Sequence, residues 1–270
     1  MIDDPLPADW RILQSGVCQL LNEIGLTAAV EVRLDTPRGR VKVDVHAVDE
    51  RSVDKIQYIV ECKNWSTPIP QSVVHSFTTV MHETGANIGF IVSQHGLQAG
   101  ARQYTENTNI RGLTYLELQH KYFQHWWEGY FSIVLGDAGD DLMQYVEPFN
   151  SLRDRVVEAE LDDAKRLRFV AMFQKHAALG MFTSLHNMGR IVNLRTTSMR
   201  TPAHILPQRV DDLRGIYNQL APEFNSDATS FRGFLTDLVR YLRDVTQEFH
   251  NLFGRNIFEE VPTISGKPRA

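Results

Sequence analysis

The stretch Arg40 to Pro70, RVKVDVHAVDERSVDKIQYIVECKNWSTPIP, decides the fold. It reads as two strands joined by a polar hairpin. Val41, Val43, Val45 and Ala47 alternate with Lys42, Asp44, His46 and Val48, and a period of two puts the two sets on opposite faces. The second strand is Gln57 to Lys63, with Tyr58, Val60 and Cys62 on one face and Gln57, Ile59, Glu61 and Lys63 on the other. Glu61 and Lys63 stand at i and i+2, so they project side by side. If the strands pair, Asp44 lies beside Glu61, and two carboxylates and one ammonium meet on a small patch of sheet.

That patch has a chemical reading. Two close carboxylates repel each other, and a divalent cation relieves the repulsion. Mg²⁺ prefers a small number of carboxylate oxygens, keeps several waters and takes a substrate phosphate. A neighbouring Lys orients the attacking water and stabilises charge building up on phosphorus. An ordinary hairpin with a solvated Glu/Lys pair carries the same letters, and E-x-K is common by chance. The context favours chemistry: Asp44 is set in an apolar strand, the strand before Glu61 is apolar, and a helical segment follows Pro68 to Pro70.

The spacing Asp44-(x16)-Glu61-x-Lys63 resembles the PD-(D/E)xK nuclease superfamily and, more narrowly, the Mrr-type restriction endonuclease catalytic domain. Upstream, WRILQSGVCQLLNEIGL (Trp10 to Leu26) is similar to the family's opening amphipathic helix. Downstream, Glu61 to Thr105 follows the family's order of catalytic strand, proline turn, helix, Gly-Ala, apolar strand, Ser and Gly-Ala-rich helix start. The resemblance covers Trp10 to about Tyr115 and is specific as an ensemble. One departure matters. The family often carries an aromatic-Glu pair on the first helix, and this chain has Leu13-Gln14 there.

The resemblance implies an α/β restriction-endonuclease-like domain, a mixed central sheet flanked by helices. It implies Mg²⁺, with Mn²⁺ able to substitute, bound by Asp44, Glu61 and the Cys62 carbonyl. Lys63 would position or activate the water, and Gln14 would be an accessory polar residue. Double-stranded DNA would be the partner, with Arg38, Arg40, Asn64 and Trp65 as its contacts. The implied activity is metal-dependent endonucleolytic hydrolysis of DNA in restriction or anti-phage defence, with other defence proteins as further partners. Two alternatives stand beside it: a recombination or repair nuclease, and an inactive nuclease-derived module that binds nucleic acid or protein. Surface solvation for the two Arg, and a core or interface role for Trp65, are the structural counterparts.

Composition sets bounds. A chain of 270 residues, 43% hydrophobic and 23% charged, is that of a folded protein with one large or two ordinary domains. No apolar run approaches the length that crosses a bilayer, and MIDDPLPADW is not a secretory signal. Cys18 and Cys62 are the only cysteines. They are expected reduced and buried, in the cytoplasm, and two cysteines exclude a Cys-rich zinc module. The net charge of −5 weighs mildly against a nucleic-acid partner.

In chain order, Asp9 is placed to cap a first helix carrying Ile12, Leu13, Val17, Leu20, Leu21 and Ile24, and Gly25 stops it. Ala28 to Leu34 reads as a strand whose Glu31 is a carboxylate near the implied metal or, more commonly for such a position, a solvent-facing residue. Gln71 to Thr84 reads as a helix. Its His75 and His82, at i and i+7, fit a surface or interface better than a metal site. Ile88 to Ser93 is a buried strand, Gln98 to Asn107 a helix and Leu113 to Leu116 the last strand. Helices on both faces of about five strands follow.

From His120 the character changes. Tyr122, Phe123, Trp126, Trp127, Tyr130 and Phe131 read as hydrophobic cement between domains or subunits rather than as a stacking platform. Gly136 to Asp141 reads as a flexible break. Its acids lack the terminal Glu of a calcium loop. The boundary places a nuclease domain at 1–135 and an all-α domain at 136–270, for oligomerisation, sensing or DNA placement. Within it, helices are expected over Asn150 to about Lys175, His176 to Leu194, Val210 to Leu220 and Ser230 to Phe253, with a loop at Pro202 and Pro207. The tail after Val261 is expected to be disordered. The aromatic run and the wide apolar stripe of the last helix point to a homodimer or higher assembly.

Overall fold

The computed structural model of the chain describes residues 1–187 and 206–259. Helix α1 (Trp10–Glu23) starts at Asp9, whose carboxylate accepts the Ile12 N–H at 2.8 Å. It ends before Gly25, which sits at φ +89°, a conformation glycine adopts without a Cβ penalty. Strands β1 (Thr27–Thr36) and β2 (Gly39–Val48) form a hairpin, and β3 (Gln57–Lys63) pairs antiparallel with β2. Helix α2 (Gln71–Thr84) leads to β4 (Ile88–Ser93), and α3 (Ala99–Thr105) leads to β5 (Ile110–Thr114). Both β4 and β5 are added in parallel, giving the order β1-β2-β3-β4-β5. This is the mixed five-stranded sheet that the sequence implies, with helices on both faces.

Period two assigns the faces. Ile59 and Ile91 pack with Val74, Phe77 and Met81 of α2. Phe90 points the other way, 6.3 Å edge-on to Tyr122 of α4 (Tyr115–Trp126) and stacked with Tyr58. Helix α1 packs with α4 on that side. One expected boundary moves. Thr114 forms a capping box with Glu117, accepting its N–H at 3.1 Å while the Glu117 carboxylate takes the Thr114 N–H at 2.7 Å. Tyr115 and Leu116 therefore open a helix, and the last strand lies earlier than Leu113 to Leu116.

The aromatic run continues α4 as a π-helix, Trp127–Phe131, and then α5 (Ser132–Val146). Trp126, Trp127 and Phe131 are buried, and Phe123 and Trp127 both contact Phe231. Two compact units result. Among the described residues one holds 1–131, 206–210 and 228–233, and the other holds 132–187, 211–227 and 234–259.

The second unit is helical. After α5 come α6 (Ser151–Glu160), α7 (Asp163–Ser184) with a 3₁₀ turn at Leu185–Asn187, α8 (Val210–Leu220) and α9 (Phe231–Phe253). The helix break falls at Asp162, whose carboxylate caps α7 through the Lys165 N–H at 2.8 Å, and not at His176. The expected continuation to Leu194, the loop at Pro202 and the tail after Val261 lie outside the described residues. Among those described, no helix is long and apolar enough to cross a membrane.

Gly136 to Asp141 is not a break but the middle of α5, with Gly136, Ala138 and Gly139 buried. The glycine is there for close approach: a Cβ on Gly139 would stand 2.6 Å from Thr183 Oγ1 and 2.8 Å from the Ser184 backbone N of α7. This reverses the sign of a simple substitution. In a flexible linker Gly139→Ala would be neutral or stabilising. Against α7 it is expected to cost about 1–3 kcal/mol, read as a lowered melting temperature. A Tm at or above wild type would contradict the packing.

Candidate active site

The β2–β3 ladder runs from Val48↔Gln57 to Val45↔Val60 and stops there. Asp44 is the next residue, and its Oδ2 accepts the Cys62 backbone N–H at 2.7 Å. The carboxylate takes up a donor that the ended ladder no longer pairs, which fixes Asp44 beside the end of β3. Glu61 and Lys63 project together, as i and i+2 require, and form an ion pair through Oε1 and Nζ. Each remains about a quarter exposed, at 26% and 24%, so both are reachable from solvent.

The neighbouring wall is α2. Its start is fixed by Ile69, whose N–H donates to Gly96 O at 2.9 Å and whose carbonyl accepts the Gln98 N–H at 3.0 Å. An open cleft of about 260 Å³ results, lined by Glu61 and Lys63 and by Ser72, Val73, Ser76 and Phe77 of α2. Reading the sequence missed Ser72 and Ser76. Their signal is their spacing of one helical turn directly after the E-x-K strand, but two serines on a helix read as an ordinary solvated face.

The other expected residues are dispersed. Gln14 is almost fully enclosed on α1, and no hydrogen bond joins it to Asp44, Glu61 or Lys63 among the described residues. The Cys62 side chain is buried. Burial pushes its thiol well above the usual range, and the charges of Asp44 and Glu61 push the same way. The thiol therefore stays neutral, and the polar contact Cys62 makes here is through its backbone N–H, which donates to Asp44. Arg38 and Arg40 sit at the hairpin tip, paired with Glu83 at 3.0 Å and Asp35 at 2.9 Å. Both are exposed, and such pairs exchange at little cost. Asn64 donates to Pro7 O at 3.4 Å, while its own Oδ1 is buried without a hydrogen-bond partner among the described residues. Trp65 is exposed. His75 lies on the surface, 4.6 Å edge-on to Tyr104. Glu31 holds Lys42 Nζ at 2.7 Å.

Among the described residues no group of three or more His, Cys, Asp or Glu side chains is arranged to hold a metal ion. What Asp44 and Glu61 offer is hard carboxylate oxygen from adjacent strands. That donor set fits a small hard cation that keeps most of its waters.

Residues 7–121 match the Mrr_cat family model, described as restriction endonuclease. The N-terminal segment matches an Mrr-type restriction endonuclease domain. The match is consistent with a PD-(D/E)xK nuclease domain, a family that generally uses divalent metals. It spans the sheet, α1 and the Asp44, Glu61 and Lys63 positions. A comparison with curated proteins gave no match. Among solved structures, the protein of unknown function AF1548 aligns with a TM-score of 0.36 and 15% identity, over 68% of this chain and 98% of that one.

Proposed function

We propose that the chain is a divalent-metal-dependent endonuclease that hydrolyses double-stranded DNA. What supports the reading is that Asp44 Oδ2 accepts the Cys62 N–H of β3, while Glu61 and Lys63, on either side of Cys62, pair with each other and line a cleft walled by α2. Asp44, Glu61 and the Cys62 carbonyl would hold Mg²⁺, or Mn²⁺ in its place. The bound cation supplies Lewis-acid polarisation of the phosphate and a more acidic water. Lys63 would orient an attacking water and face the charge developing on the phosphate. Lys63 stands beside Glu61 at the cleft, where it would face the phosphate. Gln14 supports the site as an accessory polar residue. Arg38, Arg40, Asn64 and Trp65 contact the DNA backbone or a base once DNA displaces the exposed ion pairs. The N-terminal unit is the nuclease domain, and the helical unit serves oligomerisation, sensing or DNA placement. Restriction or anti-phage defence in the cytoplasm, as a homo-oligomer with other defence proteins, is the setting.

A non-cutting module is the competing reading, favoured by Gln14 in place of a carboxylate. Incubation of supercoiled plasmid and phage genomic DNA with Mg²⁺ or Mn²⁺ separates the two. Wild type is expected to nick or linearise, and Lys63→Ala to lose about 10²-fold or more. Metal is expected to raise the wild-type melting temperature through linkage. No cleavage together with no metal-induced rise would overturn the nuclease reading.

A further inference from the structure

Glu31 is in the left-handed region at φ +55°, where non-glycine residues are uncommon. Lys55 shares that property among the described non-glycine residues, but it lies in the loop before β3. Glu31 lies inside a strand. Its place there is specific. The β1–β2 ladder runs through Val30↔Val45 and resumes at Val32↔Val43, and the pair between them, Glu31 with Asp44, is missing. On the opposite edge of β2 the ladder to β3 stops at Val45↔Val60. Asp44 is thus out of the ladder on both sides.

The ribbon also changes its apolar allegiance at this point. Val45 and Ala47 pair with Val60 and Tyr58, and Tyr58 stacks on Phe90, which faces α4. Val43, two residues earlier, belongs with Ile59, Ile91, Val74 and Phe77 on the α2 side, and Val32, Leu34 and Val41 follow it there. A regular strand cannot move its odd-numbered residues from one face to the other. The turnover falls at Glu31 and Asp44. The Glu31–Lys42 ion pair does not account for it, because both side chains are about half exposed, at 44% and 52%, and such pairs contribute little.

We propose that Glu31 is a positioning residue for the reaction: its left-handed backbone is the elbow that releases Asp44 from β1 and aims its carboxylate at the Cys62 N–H, between Glu61 and Lys63. This rests on the reading of Asp44 as a metal-binding carboxylate. Backbone strain of this kind gathers at functional sites, where the surrounding structure holds it. The Glu31 carboxylate itself is dispensable; its φ is not.

The test is a series graded by tolerance of positive φ: Glu31→Gly, Glu31→Asn, Glu31→Gln and Glu31→Val. Two readouts are taken, the hydrogen exchange of the Cys62 amide and plasmid cleavage resolved into kcat and KM for DNA. Gly and Asn are expected near wild type in both. Val, whose β-branch disfavours positive φ, is expected to lose about tenfold or more in kcat with KM little changed, and to speed Cys62 exchange by a similar factor. Asn and Gln are both neutral amides, so Asn exceeding Gln supports the backbone role even if Val fails to fold. Gly falling as far as Val would overturn the proposal in favour of a side-chain role. Val matching wild type in both readouts would overturn it outright. If wild type does not cleave, that failure belongs to the nuclease reading, and Cys62 exchange still decides the elbow.

Discussion

Asp44→Asn is expected to cut cleavage by about 10²–10³-fold while leaving the melting temperature in the absence of metal close to that of wild type. The two halves of this result have separate causes. Asparagine keeps a carbonyl oxygen where Asp44 Oδ2 accepts the Cys62 N–H at 2.7 Å, so the end of β3 stays anchored. What is lost is the charge and one carboxylate donor of a site that has few. Asp44→Ala is a poorer probe. It removes the acceptor as well and leaves a backbone donor unpaired at a cost of about 1–3 kcal/mol, so that lost activity and lost stability arrive together. Nicking of supercoiled plasmid with Mn²⁺, set beside melting curves with and without the metal, checks the result. In the variant the metal-induced rise in Tm should vanish. Cleavage by Asp44→Asn at the wild-type rate would remove Asp44 from the reaction.

The catalytic strand was legible because E-x-K and period two are local. Side chains two apart share a face wherever the strand lies, and Glu61 and Lys63 do form their pair. The Asp44–Cys62 hydrogen bond was not legible, because it depends on where a ladder stops, and that depends on the elbow at Glu31. A mixed sheet of about five strands with helices on both faces followed from the succession of hairpin, helix and apolar strand; its order did not. The α2 wall of the cleft did not, since Ser72 and Ser76 acquire meaning only from what they face. Gly136 to Asp141 was misread for a physical reason. A glycine gives either freedom or room, and the letters do not say which. Thr183 across from Gly139 says room. The aromatic run was read as cement between domains or subunits, but its partner Phe231 belongs to the same unit and arrives from the far end of the chain.

Arg232→Leu is expected to destabilise the N-terminal unit by about 3–5 kcal/mol, the cost of leaving buried charges without their partner. The guanidinium holds Asp3 with two bonds, at 2.7 Å and 3.0 Å, and also pairs with Glu23. It lies 5.7 Å from the Trp126 ring centroid. The acids are themselves committed: the Tyr115 hydroxyl donates to Asp3 at 3.2 Å, and the Trp126 indole donates to Glu23 at 2.6 Å. Burial opposes a charged Arg232, yet the bonds and charges of Asp3 and Glu23 outweigh it and raise its pKa. Neighbouring backbone adds to the clasp, since the Phe231 and Arg232 N–H groups donate to the Met1 and Ile2 carbonyls, each at 3.0 Å. Leucine fills much of the space but leaves two carboxylates facing each other. Lysine restores one charge but not the fork that reaches both acids, so Arg232→Lys should fall between. Urea unfolding followed through tryptophan fluorescence measures the loss, and Arg232→Leu within about 1 kcal/mol of wild type would show the clasp to be ornamental. The same physics bears on truncation. A chain cut after residue 131 keeps every strand and the Asp44, Glu61 and Lys63 positions but lacks Arg232. It should reproduce the instability of Arg232→Leu, and Asp3→Asn with Glu23→Gln should recover part of it by removing the charges that Arg232 answers.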